Sequence, residues 1–341
     1  GGWLGIAMPE AVGGAGLGIT EATIMMQAIA ESGGGASGAS TVHMNIFGLN
    51  PVVKFGTGEQ RARMLPPLIA GDEKACFAVT EPTTGLDTTK LKTMAVRQGD
   101  RYVVHGQKVW ISTAQVADKM LLLARTTRLE DVIDPTKGLS LFYTDLDRNF
   151  VDVREIEKMG RKAVDSNEVF IDGLPIPAQD LIGEEGKGFR QILHGLNPER
   201  ILVAGECIGI ARNALARAAQ YANERVVFGR PIGQNQGVQH PLAQAWARVE
   251  AANLMVTHAA ALYDSGEACG VESNAAKLLA ADAAVEATEA AQITFGGFGY
   301  AKEYHVERLV REALLFRIVP VTPQMLLSFI AEKALGLPKS Y

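Results

Sequence analysis

Between Lys74 and about residue 180, short apolar runs alternate with turn chemistry, and nothing in that stretch has the length or period of a helix. The runs lie at 76–80, 91–97, 101–110, 120–124, 139–144, 151–156 and 168–171, with Gly99-Asp100 and 145–149 as turns. Such a block predicts antiparallel sheet. With no helices between its strands, it argues against a doubly wound parallel fold.

Helical texture flanks this block on both sides. In the first 75 residues, Gly13-Gly14-Ala15-Gly16-Leu17-Gly18 leads into Thr20-Glu21-Ala22-Thr23-Ile24. It lacks the G-x-G-x-x-G order and no strand precedes it, so it reads as a turn into a helix and not as a dinucleotide fingerprint. Residues 32–40 read as a Gly/Ser/Ala loop, and 59–69 as a short helix ended by Gly71-Asp72. After Gly186, Ala-rich segments with helical period cover 198–224, 237–264 and 272–294, with shorter ones after Val306 and Thr322. The order is helices, β-domain, helix bundle.

The bulk properties exclude several classes. A net charge of −5 with scattered Lys and Arg gives no basic stripe for nucleic acid. The apolar runs are shorter than the roughly 20 residues that span a bilayer, so no membrane span is expected. The opening Gly1-Gly2-Trp3-Leu4-Gly5 has no charged head or cleavage site and reads as beginning inside a domain. Cys76, Cys207 and Cys269 have no metal or C-x-x-C spacing, which points to thiols in a reducing compartment: the cytoplasm of a bacterium or a mitochondrial matrix. The six histidines have no metal-like spacing either, so no metal is assigned; His43 reads as a core histidine and His105 as strand surface.

The sharpest local signal is the start of the first long helix. Asn197 reads as an N-cap, Pro198 as the first helical residue, and Glu199 falls in the first turn, where the helix dipole favours a carboxylate. Glu199 is therefore either a dipole-matched surface residue or a general base held rigidly at a helix start.

Five ordered blocks narrow the choice: Phe77-Ala78-Val79-Thr80-Glu81-Pro82, Gly106-Gln107-Lys108-Val109-Trp110-Ile111-Ser112, Arg225-Val226-Val227-Phe228-Gly229-Arg230-Pro231-Ile232, Gly296-Gly297-Phe298-Gly299-Tyr300 and Glu303-Tyr304-His305-Val306-Glu307-Arg308. Together with Lys158-Met159-Gly160 and 183–189, they resemble the acyl-CoA dehydrogenase family over nearly the whole chain. The resemblance implies a multi-domain α and β fold: an N-terminal helical domain at 1–74, a middle antiparallel β-barrel-like domain at 75–182 and a C-terminal four-helix bundle at 183–341. It implies FAD, a homotetramer built as a dimer of dimers, and α,β-dehydrogenation of an acyl-CoA thioester to the trans-2-enoyl-CoA. The β-hydride goes to flavin N5 and the electrons to an electron-transfer flavoprotein.

It also implies roles for individual residues. Phe77, Val79 and Thr80 line the flavin, and Leu86 ends that segment beside the acyl thioester. Trp110, Ile111 and Ser112 cover one ring edge. Arg225 and Gln236 reach the pyrophosphate and adenosine of FAD held by a neighbouring subunit, with Phe228 beside them. Gly296 and Gly297 let the backbone approach closely, and Thr322 and Gln324 fall with the cofactor. Asn197, Arg200 and Val321 fall with the substrate.

Most of the family carries its catalytic glutamate near the C-terminus in a Tyr-Glu-Gly-Thr segment. Here that position holds Pro320, which can take no proton. A minority, including isovaleryl-CoA and long-chain members, places the base at the start of the long helix, in a motif ending Glu-Arg. Glu199-Arg200 matches it, so Glu199 is the expected base. Pro320 also lacks the N–H that serves the thioester carbonyl, so either the ribityl hydroxyl of FAD carries more of that role or the loop is shifted and Val321 N–H serves. Leu86 stands where serine is usual. Ile293 stands where a glutamine often binds FAD, and Gln292, one place earlier, points about 100° away on a helix. Two rival readings share the sequence: an oxidase of the same fold, and a non-catalytic subunit of a hetero-oligomer.

Overall fold

The computed structural model describes residues 2–340. In chain order its elements are α1 (Ile19–Ile29), α2 (Gly35–Gly48), α3 (Asn50–Phe55), α4 (Gly58–Ala70), β1 (Ala75–Ala78), β2 (Met94–Gln98), β3 (Arg101–Ser112), β4 (Lys119–Arg125), β5 (Leu139–Asp145), β6 (Val151–Glu155), β7 (Ser166–Pro177), β8 (Leu181–Ile182), α5 (Gly188–Glu224), β9 (Val226–Val227), β10 (Arg230–Pro231), α6 (Gln236–Asp264), α7 (Gly270–Phe295), α8 (Val306–Leu315) and α9 (Pro323–Lys333). They fall into two compact units. One gathers residues 1–17, 41–158 and 162–196; the other gathers 18–40, 159–161 and 197–341.

The first unit is built on an eight-stranded sheet in the order β6-β7-β3-β2-β4-β5-β8, with β1 also paired to β4. Strand β4 explains its own composition. Met120, Leu122 and Ala124 pack into a core with Tyr102, Val104, Phe142, Val169 and Ile171. Leu121 and Leu123 face the other way, onto Leu49, Val52, Met64, Leu65 and Leu68 of the helical segments. A strand buried on both faces reads as a continuous apolar run. The expected antiparallel pairing holds for most neighbours, but β1 and β2 each pair with β4 in parallel. Those contacts join residues far apart in sequence, which alternation alone does not encode.

The second unit holds α1, α6, α7, α8, α9 and the part of α5 after Leu196. Asp264, the last residue of α6, accepts the Ile19 and Thr20 amides at 2.8 Å each and so caps α1. A Cβ added at Gly209 would lie 2.4 Å from the Gln27 carbonyl, so glycine allows α5 to approach α1 this closely.

Two local readings need correction. The loop expected at 32–40 is a five-residue π-helical kink, Ala30–Gly34, running into α2. Gly33 at φ 105° and Gly35 at φ 57° make the bend. The buried Glu312 carboxylate then accepts Ala36 N at 2.8 Å and Ser37 Oγ at 3.0 Å, capping α2 from across the fold. Asn197 is also not an N-cap: α5 starts at Gly188 and Pro198 lies inside it. Ile192 is buried in the core of the first unit and Phe189 packs against it, and that burial carries the helix past the hydrogen bond that proline removes. Glu199 is consequently not at a helix terminus, and the dipole argument for it fails.

Candidate active site

In the β-rich unit, the pairing of β3 with β7 slips between Lys108 and Ile111. Bulges re-aim side chains. At this one Trp110 adopts φ 62° and turns its indole outward, 59% exposed, while Lys108 points inward and is fully buried. Lys108 Nζ donates to Val79 O at 3.1 Å, Leu123 O at 2.8 Å and Glu81 Oε1 at 2.9 Å. Val109 N donates to Thr80 O at 2.9 Å. Val79 and Thr80 are thus fixed alongside the strand that presents Trp110.

Glu81 completes the lock. Its carboxylate accepts Lys92 N at 2.6 Å, Thr93 N at 3.0 Å and Thr93 Oγ1 at 2.6 Å. Burial alone would raise its pKa, but the Lys108 charge and these hydrogen bonds outweigh burial and hold it below the usual carboxylate range. Burial pulls Lys108 down to about 8, with Glu81 acting against it.

The other expected residues of this unit divide. Phe77 is half-buried against Phe47, ring centroids 5.2 Å apart. Ser112 is half-buried opposite Ser166. Leu86 is exposed. Ile111 does not offer its side chain as expected: it is buried in the sheet core, and its carbonyl accepts from Asn167 Nδ2 at 2.8 Å. Only its main chain remains for a ligand.

In the helical unit, Asn197, Glu199 and Arg200 are half-buried on α5. Arg200 Nη1 donates to Asn197 Oδ1 at 3.2 Å, and Asn197 Nδ2 lies 3.8 Å from Cys269 Sγ at the start of α7. Burial disfavours the charged form of Arg200 and the Glu199 charge favours it; a guanidinium keeps its proton in either case. Val321 is held by Lys277, whose buried Nζ donates to Val321 O at 2.8 Å and to Phe316 O at 2.6 Å. Thr322 stands at the N-cap of α9 and Gln324 is exposed in its first turn.

A third group is exposed on the same unit. Phe228-Gly229 is the tip of the β9–β10 hairpin, with φ 53° and 75°, the pair of positive values a type I′ turn requires. Phe228 is 100% exposed. The Arg225 guanidinium lies over the Phe298 ring at 5.4 Å, which brings it beside the Gly296–Tyr300 turn. Gly296 and Gly297 are exposed with nothing within 4 Å of an added Cβ, so bare backbone is presented there. Gln236 is exposed at the start of α6. Ile293 points outward, and Gln292 is half-buried with its Oε1 unpartnered among the described residues. On this unit the exposed guanidinium and the bare glycine backbone suit an anionic group; on the β-rich unit, by itself, the outward Trp110 indole suits a flat aromatic one. No group of His, Cys, Asp and Glu suited to a metal ion occurs among the described residues, and no helix there is long and apolar enough to cross a membrane.

Sequence reasoning missed Lys277. The available signal was a lone charge in Ser273-Asn274-Ala275-Ala276-Lys277-Leu278-Leu279-Ala280-Ala281, an otherwise uncharged stretch of helix. A charge there either faces solvent or has a buried partner.

The sequence models for the N-terminal, middle and C-terminal domains of acyl-CoA dehydrogenase match residues 1–72, 76–174 and 186–335. Acyl-CoA dehydrogenase FadE12 of Mycobacterium tuberculosis is 38% identical over 349 residues, an alignment spanning 100% of this chain and 87% of the relative. Subunit CarC of the caffeyl-CoA reductase–Etf complex of Acetobacterium woodii is 34% identical, over 95% of this chain and 84% of its own. Butyryl-CoA dehydrogenase from Megasphaera elsdenii superposes with a TM-score of 0.93 at 30% identity, covering 98% of this chain and 88% of that one.

Proposed function

The chain belongs to the acyl-CoA dehydrogenase family, and we propose that it dehydrogenates an acyl-CoA thioester to the trans-2-enoyl-CoA with Glu199 as the base. It is an FAD-dependent oxidoreductase. FAD, when bound, supplies the two-electron acceptor. In this reading Val79, Thr80, Trp110, Ser112 and the main chain of Ile111 hold the ring; Arg225 and Gln236, with Phe228 beside them, reach the pyrophosphate and adenosine of the FAD held by a neighbouring subunit, and Gly296 and Gly297 let the backbone approach the cofactor.

The observation that carries the assignment is a pair of positions in the helical unit. The loop between α8 and α9 has Pro320 where a carboxylate is usual, and α5 carries Glu199 beside the half-buried Arg200. Glu199 takes the proton from the carbon next to the thioester carbonyl. Val321 N–H, on the residue whose carbonyl Lys277 holds, supports the charge that develops on the thioester oxygen. Asn197 keeps Arg200 in place beside the base.

The electron acceptor in this reading is an electron-transfer flavoprotein, the kind of partner named for the CarC complex. Exposed Trp246 and Leu254 on α6 and Leu279 on α7 favour assembly into a homotetramer. All three cysteines are free and buried, as suits a reducing compartment.

The test is Glu199→Gln. That variant should keep its flavin and lose turnover by a factor on the order of 10² or more, read as the rate of flavin bleaching by acyl-CoA. Near-normal bleaching would defeat the assignment.

A further inference from the structure

We infer that Lys277 is a positioning residue: its buried ammonium clamps both ends of the Phe316–Val321 loop and thereby sets the Val321 N–H. The proposal rests on the dehydrogenase reading above for its consequence in rate, though not for the clamp itself.

The clamp is visible in the geometry. Lys277 is fully buried in the middle of α7, with no carboxylate in salt-bridge range among the described residues. Its Nζ donates to Phe316 O at 2.6 Å and Val321 O at 2.8 Å, the first and the last but one residues of the segment 316–322 that joins α8 to α9. Arg317 Nε donates to Asp282 Oδ1 at 2.9 Å, one turn and a residue further along α7, so the loop is tied to this helix a third time. A side chain that reaches two carbonyls on either side of Val319-Pro320 fixes the peptide planes at both ends of a short span. Holding the Val321 carbonyl restricts the ψ of the residue whose N–H is to meet the thioester.

The surroundings are those of the base. Burial lowers the lysine's affinity for its proton to a pKa of about 8, and the charged groups that act on it are Asp282 on its own helix and Arg200 and Glu199 on α5. The ammonium therefore lies in the same electrostatic neighbourhood as Glu199. A buried lysine kept charged without a carboxylate is a poor choice for stability alone. Its two carbonyl acceptors give it a definite geometric role instead.

The experiment uses Lys277→Met in the FAD-loaded protein, with two readouts. Amide hydrogen exchange across 316–322 reports the clamp whether or not the protein turns over. Exchange there should accelerate by about tenfold while α5, α6 and the β-rich unit keep their protection. Stopped-flow flavin bleaching by an acyl-CoA that reduces the wild type should slow by about tenfold, with the acyl-CoA dissociation constant and flavin content unchanged. Unchanged loop exchange overturns the clamp. Faster loop exchange with an unchanged bleaching rate, or a loss that falls only on acyl-CoA affinity, overturns the positioning role. If no acyl-CoA bleaches the wild type, the dehydrogenase reading fails and hydrogen exchange still decides the clamp. Should Lys277→Met not fold, Lys277→Gln goes through the same measurements; its shorter amide reaches only one carbonyl, and loop exchange should still accelerate.

Discussion

Lys108 Nζ lies 2.9 Å from Glu81 Oε1, with the two side chains 0% and 4% exposed, and the same ammonium reaches the carbonyl of Val79. One buried pair thus ties the β3 bulge to the strand end that carries Val79 and Thr80. Removing one partner strands the other charge in the interior, at a cost of about 3–5 kcal/mol. Lys108→Met should lose that much stability in urea denaturation. The double variant Lys108→Met/Glu81→Leu should lose markedly less than the sum of the two single variants, because it removes the stranded charge.

The same carboxylate predicts an acid limb. Burial pushes the Glu81 pKa up, but Lys108, Thr93 and Lys92 overcome this, and the folded value lies below 4.5. A depressed carboxylate contributes stability that is fully present above its unfolded pKa and is lost as pH falls through the folded one. Wild-type stability should therefore fall below pH 4.5 more steeply than that of Glu81→Gln, as followed by denaturant midpoints across the acid range.

Lys277 predicts a limb of the opposite kind. Burial lowers its folded pKa from 10.5 to about 8. Between those values the unfolded chain binds more protons than the folded one, so this group's contribution to stability rises with pH over that window. The stability difference between wild type and Lys277→Met should shift in favour of wild type from pH 8 to 10.5. A flat difference would show that the ammonium is better solvated than its burial implies.

How far the chain could be read from its sequence depended on the range of the interactions that fix each part. Strand β3 was legible from its alternation and β4 and β5 as runs buried on both faces, since which faces are buried sets both patterns. The parallel contact of β1 with β4 was not, since it pairs Cys76 with Met120 across an intervening hairpin. Asn197-Pro198-Glu199 has the local form of a helix start, yet packing around Phe189 and Ile192 extends α5 back to Gly188. Of the candidate site, Trp110, Arg225 and Gly296 were found by pattern and stand outward. Lys277 shows in the sequence only as a lone charge; its role was not legible because its partners are main-chain carbonyls, which carry no sequence signature.

Glu312 shows the same long-range logic and can be tested directly. It is 1% exposed and accepts from Ala36 N, Ser37 Oγ and Arg308 Nη1, the last at 3.2 Å. Glu312→Ala leaves the first turn of α2 without its acceptor and the partly buried Arg308 guanidinium without its counter-charge, holding only the Gly33 carbonyl. The expected loss is about 3 kcal/mol. Hydrogen exchange should show it as fraying that begins at Ala36, while Glu312→Gln, which keeps one acceptor oxygen, should lose less.

Phe228 sets stability against binding. A non-glycine residue at φ 53° pays a steric penalty of about 1 kcal/mol, and a fully exposed phenyl ring recovers nothing from burial. Asparagine tolerates this conformation and is favoured in such turns. Phe228→Asn should therefore stabilise the FAD-free chain by about 1 kcal/mol in thermal or urea denaturation. If the ring is kept at the hairpin tip to pack beside FAD, the same substitution should weaken FAD retention by about tenfold, measured by flavin release on dilution. A gain in stability with undiminished retention would leave the phenyl without a role in cofactor binding. A loss of stability would mean that the ring is buried in the assembled protein even before FAD arrives.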